Sequence, residues 1–427
     1  MNPTSLQQWL AHIERQHPHS IELGLDRVRK VAMRLQLDKP ARKTIVVGGT
    51  NGKGSTIAFI EAIALAAGWR TGVYTSPHLL RYNERVRLDG READDEALIA
   101  AFSAVETARG EVALTYFEYG TLAALWLMQR ARLDLAVLEV GLGGRLDAVN
   151  IVASDVAVIT TVDIDHTDWL GQDRESIGRE KAGIARAWKP LVLGEKDPPS
   201  SVLQHAYGLG ADTLRSGCDF FHEPVDASHW RWRDVRHALL LPVPRLVAPV
   251  QLANAATAIT ALRALRRRIP MAAYAQGIAT AVLPGRLQRI DREGVEIWTD
   301  VAHNPQAARA LAAWLTARPP VGRTLAVFAA LNDKDVHAVV EALAGTVTDW
   351  YLAGLSVDGR SQDAATLARR LRGTVAADGR QYENVAQALA AASATATAED
   401  RILVFGSFHT VAAALSAIGL STPADSC

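Results

Sequence analysis

Between an apolar run, Thr44 to Val47, and a helix-like run, Ile57 to Ala67, lie Gly48-Gly49-Thr50-Asn51-Gly52-Lys53-Gly54-Ser55-Thr56. Glycines let backbone N–H groups curl around a bound anion. A helix that follows turns its positive end toward that anion, and Lys53 adds a mobile cation. The chemistry these residue types support is the binding of a triphosphate. The common phosphate loop has Gly five residues ahead of the Gly-Lys pair and Ser or Thr directly after it, whereas Val47 and Gly54 stand at those positions here. The departure points to a particular subclass of ATP users.

Phosphoryl chemistry calls for a divalent metal, and the run Leu135-Ala136-Val137-Leu138-Glu139 ends in a carboxylate where a parallel sheet places its ligands. Glu139 is therefore the first candidate metal ligand, with a salt-bridged strand-end acid as the plainer alternative. The loop Gly141 to Asp147 follows at the same edge. The next strand ends in Asp163-Ile164-Asp165-His166-Thr167-Asp168-Trp169, three acids and a histidine at the same edge, read as a ligand cluster with helix capping as the plainer alternative for some of them. On that helix, Ile177, Ile184 and Trp188 share a face, and pattern alone reads Lys181 as a solvated lysine. Leu114-Thr115-Tyr116-Phe117-Glu118-Tyr119 opens another helix, whose aromatics read better as core than as a platform for a flat ligand. Farther along stand Asn254, Arg286 and the run Asp300-Val301-Ala302-His303-Asn304-Pro305, where a loop histidine and a ligand are evenly balanced.

These residues need a scaffold, and the pattern supplies one. Strand-like runs alternate with helix-like ones: Arg70 to Thr75, Asp94 to Ala108, Phe117 to Ala131, Asp134 to Val140, Asp155 to Val162 and Glu175 to Trp188. The expected fold is α/β, a phosphate-loop-type, mostly parallel sheet covered by helices. Cys218 to Pro244, with His229, Trp230, Arg231, Trp232 and Arg233, reads as a small antiparallel excursion. Helices over Gln251 to Arg268 and up to Leu283 lead to Pro284-Gly285, the expected domain join. Arg266-Arg267-Arg268 reads as a solvated helix end. Beyond the join the alternation restarts as a smaller, Rossmann-like α/β domain, with strands at Val295 to Val301, Thr324 to Ala330, Val347 to Ala353 and Ile402 to Gly406. The expected division is 1–284, a linker at 285–292, and 293–427.

With 427 residues, two domains are the default. Forty-six basic against 46 acidic residues give no net field for nucleic acid or an anionic membrane, so an anionic ligand must be held locally. Two cysteines, Cys218 and Cys427, fit a reducing compartment, and no apolar run approaches a membrane span. The cytoplasm is the expected location.

In this order the pieces resemble the Mur-type amide ligases, and within them the dihydrofolate synthase/folylpolyglutamate synthase enzymes. The marks are Gly49 to Ser55, Ser76-Pro77-His78-Leu79, Glu139 to Asn150, Asp165-His166-Thr167, Lys181-Ala182-Gly183 and Asp300 to Pro305. They run from the segment around Gly24 to Arg27 through Gly406-Ser407-Phe408-His409. This family follows Gly-Lys with Gly, so the odd loop becomes diagnostic.

The resemblance implies ATP on Thr50, Asn51, Gly52, Lys53, Gly54 and Ser55, with Asn254, Arg286 and Asp300 holding the nucleotide from the domain interface. It implies magnesium at two sites, one on Ser76 and Glu139 and one on His166, and Lys181 carboxylated to a carbamate that supports the metal. A monovalent cation is a further companion whose need the sequence does not decide. Thr115, Tyr116, Phe117 and Glu118 with Leu146, Asp147 and Ala148 match the pterin contacts, and His303 and Ser407 the glutamate side. The implied partners are dihydropteroate, reduced folates and L-glutamate, and the implied state is a monomer. The Leu114 to Tyr119 segment and the Ser407 to Val411 run are similar to the bacterial bifunctional type. An enzyme confined to polyglutamylation, a cell-wall ligase of the same fold and a non-enzymatic ATP-dependent switch are the alternatives. A carboxylate cannot accept an amine directly, so the expected route is an acyl phosphate formed from ATP, with Lys53 and Arg286 stabilising charge.

Overall fold

The computed structural model describes residues 3–17, 22–292, 294–357 and 359–420. Cys427 lies outside the described residues, while Cys218 is an exposed free thiol. Two compact units emerge. The first comprises Met1–His78, Tyr82–Arg245 and Gln251–Ala281; the second comprises Leu79–Arg81, Leu246–Val250 and Val282–Cys427.

The first unit is built on eight strands, β1 (Ala41–Gly48), β2 (Thr71–Tyr74), β3 (Val86–Leu88), β4 (Arg91–Glu92), β5 (Leu133–Glu139), β6 (Val156–Ile159), β7 (Pro190–Leu193) and β8 (Asp212–Arg215). Their spatial order is β4-β3-β2-β5-β1-β6-β7-β8, with β3 antiparallel to both of its neighbours, β2 and β4, and the remaining neighbours parallel. β1 and β5 bury residues on both faces, which is why each reads as a near-continuous apolar run rather than an alternation. Helices Leu6–Glu14, Asp26–Arg34, Asp95–Arg109 and Tyr116–Ala131 contribute Trp9, Val31, Phe102 and Leu122 to a core shared with Val46, Leu138 and Ile159 of the strands. Helix Lys53–Ala66 packs with helices Gln251–Ala264 and Met271–Thr280. The chain passes from β5 on one side of β1 to β6 on the other. β1 thus sits at the switch of strand order, where open α/β sheets bind ligands beyond the strands' carboxyl ends.

The aromatic and basic run is the expected antiparallel excursion, a sheet ordered β11-β10-β9 from β9 (Phe220–Pro224), β10 (His229–Asp234) and β11 (Ala238–Pro242). Its period is two. Trp230 and Trp232 are buried while His229, Arg231 and Arg233 are exposed, and Trp232 Nε1 donates to Thr260 Oγ1 at 3.2 Å.

The second unit has strands β12 (Arg286–Arg292), β13 (Val295–Asp300), β14 (Thr324–Phe328), β15 (Asp349–Ala353), β16 (Arg380–Tyr382) and β17 (Arg401–Phe405), ordered β12-β13-β17-β14-β15-β16. All neighbours are parallel except β12, which pairs antiparallel with β13. Helices Pro305–Ala317, Val336–Glu341, Ala364–Arg370, Val385–Thr395 and Phe408–Ala417 accompany the sheet.

Three expectations are corrected. Residues 286–292 of the expected linker are the edge strand β12, hydrogen-bonded to β13, because the polar alternation Arg-Leu-Gln-Arg-Ile-Asp-Arg suits a half-exposed strand. The helix expected to reach Trp188 ends at Ala182 with Gly183 as its cap. Trp188 stands 82% exposed at φ +59°, outside the face it was expected to share with Ile177 and Ile184. Arg267 is no solvated helix end: its guanidinium lies 4.5 Å from the centre of the Trp69 ring and 3.5 Å from Asp134. Among the described residues no helix is long and apolar enough to cross a membrane.

Close helix packing in the first unit rests on Gly277. A Cβ placed there would come within 2.5 Å of the backbone N and Cα of Ile63, and backbone cannot swing aside as a side-chain tip can. Gly277→Ala is expected to lower unfolding stability by about 1–3 kcal/mol. A urea titration should show this as a lower midpoint at unchanged slope, and an unchanged midpoint would count against the packing argument.

Candidate active site

The loop after β1 is shaped as much by its neighbours as by its glycines. Gly49 has φ +144°, and a Cβ there would sit 1.9 Å from Thr160 Oγ1. Gly52 has φ +87°, and its Cβ would fall 2.6 Å from Asn254 Oδ1. Both positions combine a backbone conformation favouring glycine with a neighbour occupying the side-chain space. The end of β6 pins the loop: Thr50 N–H donates to Thr161 O at 2.8 Å, Asn51 N–H to Thr161 Oγ1 at 3.1 Å, and Thr160 Oγ1 donates to Asn51 O at 2.6 Å. The Thr50 hydroxyl donates to Asp163 O at 3.1 Å and accepts Asp163 N–H at 3.0 Å.

Helix Lys53–Ala66 then starts with Gly52 at its cap, no side-chain cap bond and no acid in its first turn. Its positive end is left for an anion. The Lys53 ammonium curls over the loop, donating to the carbonyls of Gly49 at 3.1 Å and Thr50 at 3.3 Å. Ser55 and Asn254 are buried and linked through Gln251, whose Nε2 donates to Ser55 Oγ at 3.3 Å and whose Oε1 accepts from Asn254 Nδ2 at 3.0 Å. Gly54, the residue that departs from the common loop, lies in the helix's first turn.

On the strand beside it, Glu139 pairs in register with Val47, one residue before the loop's glycines. It is buried, and its Oε2 accepts the N–H of Ser76 at 3.2 Å. A hydroxyl residue and a carboxylate thus stand together at the sheet's carboxyl edge. His166, with φ +53°, lies at the start of the short helix Thr167–Leu170 with its ring 38% exposed and 3.9 Å from Asp165. Among the described residues no three His, Cys, Asp or Glu side chains gather tightly enough to hold a metal by themselves. The Ser76–Glu139 pair fits magnesium in kind, since that ion takes one or two carboxylates and fills its shell with phosphate oxygens and water.

Lys181, read from pattern as solvated, is 4% exposed. Burial pushes its ammonium down to about 7, nearby Lys53 adds to the effect, and Asp165, Asp147 and Glu195 oppose it. A lysine so placed holds a substantial fraction of neutral, nucleophilic amine near neutral pH.

Other expected contacts are already engaged. Asp147 is buried, taking N–H bonds from Gly141 at 3.0 Å, Leu142 at 2.9 Å and Val149 at 3.0 Å, and burial raises its carboxyl to about 7. It braces the Gly141–Asp147 loop. Ala148 is buried next to it and Leu146 half-buried. Thr115 and Glu118 form a capping box on helix Tyr116–Ala131, and Glu118 also accepts from Arg27 at 2.9 Å. Tyr116 and Phe117 stay half-buried. The Phe117 ring lies against Gly141, where a Cβ would approach to 2.7 Å, and Arg85 lies 5.4 Å from the Tyr116 ring centre. Both rings pack against the apolar core of the first unit.

In the second unit Arg286 pairs in register with Asp300, followed by a bulge at Leu287 with φ +43°. Asp300 accepts the N–H groups of Leu287 at 2.9 Å and Ala302 at 2.8 Å, and burial raises its carboxyl while Arg286 opposes the rise. The Arg286 guanidinium lies 4.9 Å from the centre of the Phe408 ring. Half-buried His303 holds its Nδ1 3.0 Å from Val301 O. Ser407, expected on the glutamate side, is buried as the cap of helix Phe408–Ala417, its oxygen accepting from Thr410 N at 3.0 Å.

Glu195 and Arg174 were not found from sequence. Glu195 follows β7, its carboxyl raised to about 7 by burial, and accepts Val162 N–H at 3.1 Å and Arg174 Nη2 at 3.0 Å. The signal was a lone acid two residues beyond a buried strand, too common to single out.

Comparison with known proteins supplies the rest. The Mur ligase middle domain matches residues 47–219, and the Mur ligase, glutamate ligase domain matches residues 285–408. The dihydrofolate synthase/folylpolyglutamate synthase of Escherichia coli strain K12 is 48% identical over 97% of this chain and 95% of its own length. The structure of E. coli FolC in complex with DHPP and ADP superposes with a TM-score of 0.92 at 48% identity, covering 98% of both chains. A bifunctional folylpolyglutamate synthase/dihydrofolate synthase with Mn, AMPPNP and L-glutamate bound reaches 0.91 at 46% identity, covering 98% of this chain and all 100% of the other. The phosphate loop, the acidic strand ends and both sheets agree with these matches along the whole chain, which belongs to the Mur ligase family and, within it, to the dihydrofolate synthase/folylpolyglutamate synthase enzymes, ATP-dependent ligases that form carbon–nitrogen bonds.

Proposed function

We propose that this chain joins the α-amine of L-glutamate to the carboxyl group of dihydropteroate, giving dihydrofolate, and in a second activity adds further glutamates to tetrahydrofolates. The observation that carries the reading is the carboxyl edge of the first sheet. There an uncapped helix start, Lys53 and the Ser76–Glu139 pair meet a lysine buried within reach of the Lys53 charge. Solved relatives with DHPP and ADP, and with Mn, AMPPNP and L-glutamate, support the substrates.

In the first step a carboxylate oxygen of the pteroate attacks the γ-phosphorus of ATP. The bond to the bridging oxygen breaks, ADP departs, and an acyl phosphate remains. The glutamate nitrogen then attacks the acyl carbon, inorganic phosphate leaves with the bonding electrons, and the amine gives up a proton. Lys53, already folded over the loop, shifts its ammonium from the Gly49 and Thr50 carbonyls to the phosphates, and the amides at the start of helix Lys53–Ala66 share the charge. Thr50, Asn51, Gly52, Gly54 and Ser55 shape this cradle, and Asn254 walls it at Gly52. Arg286 and Asp300 are assigned to the nucleotide and His303 to glutamate. Tyr116 and Phe117 offer the flat surface for the pterin, with Leu146 and Ala148 at its margin.

Ser76 and Glu139 would hold one magnesium ion and His166 a second. When bound, magnesium supplies charge neutralisation for the transferring phosphoryl group. Lys181 is assigned as a carbamate: its neutral amine takes up carbon dioxide at nitrogen, a proton is lost, and an anion replaces a cation beside Lys53. That exchange turns a repulsion into an attraction, a reason for this lysine to lie buried where it does. A monomer in the cytoplasm completes the proposal, and a need for a monovalent cation is left to titration with potassium and sodium salts.

Release of ADP from ATP is expected only when dihydropteroate and L-glutamate are both present, and again when tetrahydrofolate replaces dihydropteroate. A coupled assay of ADP with mass detection of the product checks this. Activity with tetrahydrofolate alone would leave a polyglutamylating enzyme, and hydrolysis independent of both substrates would sink the ligase reading. Lys181→Ala is expected to lose on the order of 100-fold or more in kcat and to regain part of it with added acetate or formate. Wild-type turnover in that variant would remove the carbamate role.

A further inference from the structure

Arg174 and Glu195 belong to none of the groups assigned above, yet they hold one residue between them. Val162 is buried, and both of its backbone polar groups go to side chains. Its N–H donates to Glu195 Oε1 at 3.1 Å, and its carbonyl accepts from Arg174 Nε at 2.9 Å. The two side chains close on each other, Arg174 Nη2 donating to Glu195 Oε2 at 3.0 Å and to Asp197 O at 2.9 Å. The next residue, Asp163, is held through its own N–H and carbonyl by the hydroxyl of Thr50. The peptide that leads into Asp165 and His166 is therefore gripped from one side by a charged pair and from the other by the nucleotide loop.

The grip reaches a third segment. Arg174 opens helix Arg174–Ala182, and Lys181 follows it by seven residues, so both lie on one helix face two turns apart. Fixing the guanidinium in its fork fixes how that helix is rotated, and hence where the Lys181 amine is presented.

We propose that Arg174 and Glu195 are positioning residues for the phosphoryl-transfer site, a clamp on the Val162 peptide that sets the His166 segment and the Lys181 helix in register with the nucleotide loop. The proposal rests on the functional reading above. The clamp touches neither substrate nor nucleotide in this assignment, so its loss misplaces catalytic groups without removing any. An arginine is suited to the task because its planar fork serves the Val162 carbonyl, the Glu195 carboxylate and the Asp197 carbonyl together, which a lysine cannot do.

The test uses the full-length enzyme with Arg174→Ala, Arg174→Lys, Glu195→Gln and the Arg174→Ala/Glu195→Gln pair, measuring kcat, KM for ATP and thermal midpoint. Misplacement of reacting groups by about 1 Å costs on the order of 100-fold, so Arg174→Ala is expected to lose roughly 10- to 100-fold in kcat with KM for ATP within about twofold. The double variant should be no worse than the poorer single one, as members of one unit are not additive. Arg174→Lys should recover only part of the loss, and calorimetric titration with ADP should give wild-type affinity in every variant. Wild-type kcat in Arg174→Ala, additive losses in the double variant, or a loss that vanishes when assayed well below a lowered thermal midpoint would each overturn the clamp. A wild-type chain without substrate-dependent ADP release would instead defeat the underlying reading.

Discussion

A buried ammonium is costly to leave without a counter-charge, and burial, with the charge of Lys53 adding to it, lowers the Lys181 pKa to about 7. The carboxyl edge of the first sheet is arranged around this cost. Acids arrive at the same edge from several strands: Glu139 from β5, Asp163 and Asp165 after β6, Glu195 after β7. A triphosphate brings further negative charge. Negative charge at this edge thus answers a demand that the burial of Lys181 makes.

That demand can be built only because the strands around it are rigid. β1 lies between β5 and β6 with both faces covered, so the loop that leaves it and the residues ending its neighbours are fixed at known heights along one edge. Register places Glu139 level with Val47, and hydrogen bonds from Thr160 and Thr161 fasten the loop to the end of β6. The second unit uses a different device. There a bulge at Leu287 turns its N–H to Asp300, so an edge strand and a strand-end acid are locked next to Arg286.

Local features of this fold were legible in the sequence; lateral ones were not. Parallel strands buried on both faces announce themselves as apolar runs, which located the glycine loop and Glu139 at their ends, while the excursion showed itself by aromatic and basic residues in alternation. Lys181 was read from pattern as solvated, because helical periodicity reports neighbours on the same helix and not the residues brought over it from other strands. The linker at 285–292 was misread since an edge strand with one wet face carries as many charges as a connection does. Thr115, Glu118, Asp147 and Ser407 also serve the fold, as helix caps or as the brace of a loop, and sequence does not distinguish that duty from ligand contact because both use the same side chains. Glu195 gave only the common signal of an acid just beyond a buried strand and Arg174 none, for their partner is the backbone of Val162.

The filling of the space over Gly49 and Gly52 has a consequence for modularity. Phosphate loops are commonly regarded as interchangeable cassettes whose glycines answer only to the phosphate. Here Thr160 and Asn254 stand where side chains at those two positions would go, so the glycines answer to two other segments of the chain, far apart in sequence. A generic loop grafted onto this strand would bring suitable phosphate contacts and meet unsuitable neighbours. The nine-residue motif is in effect one face of a three-part joint, so a side chain gained at Gly49 requires room from Thr160 and one gained at Gly52 requires room from Asn254.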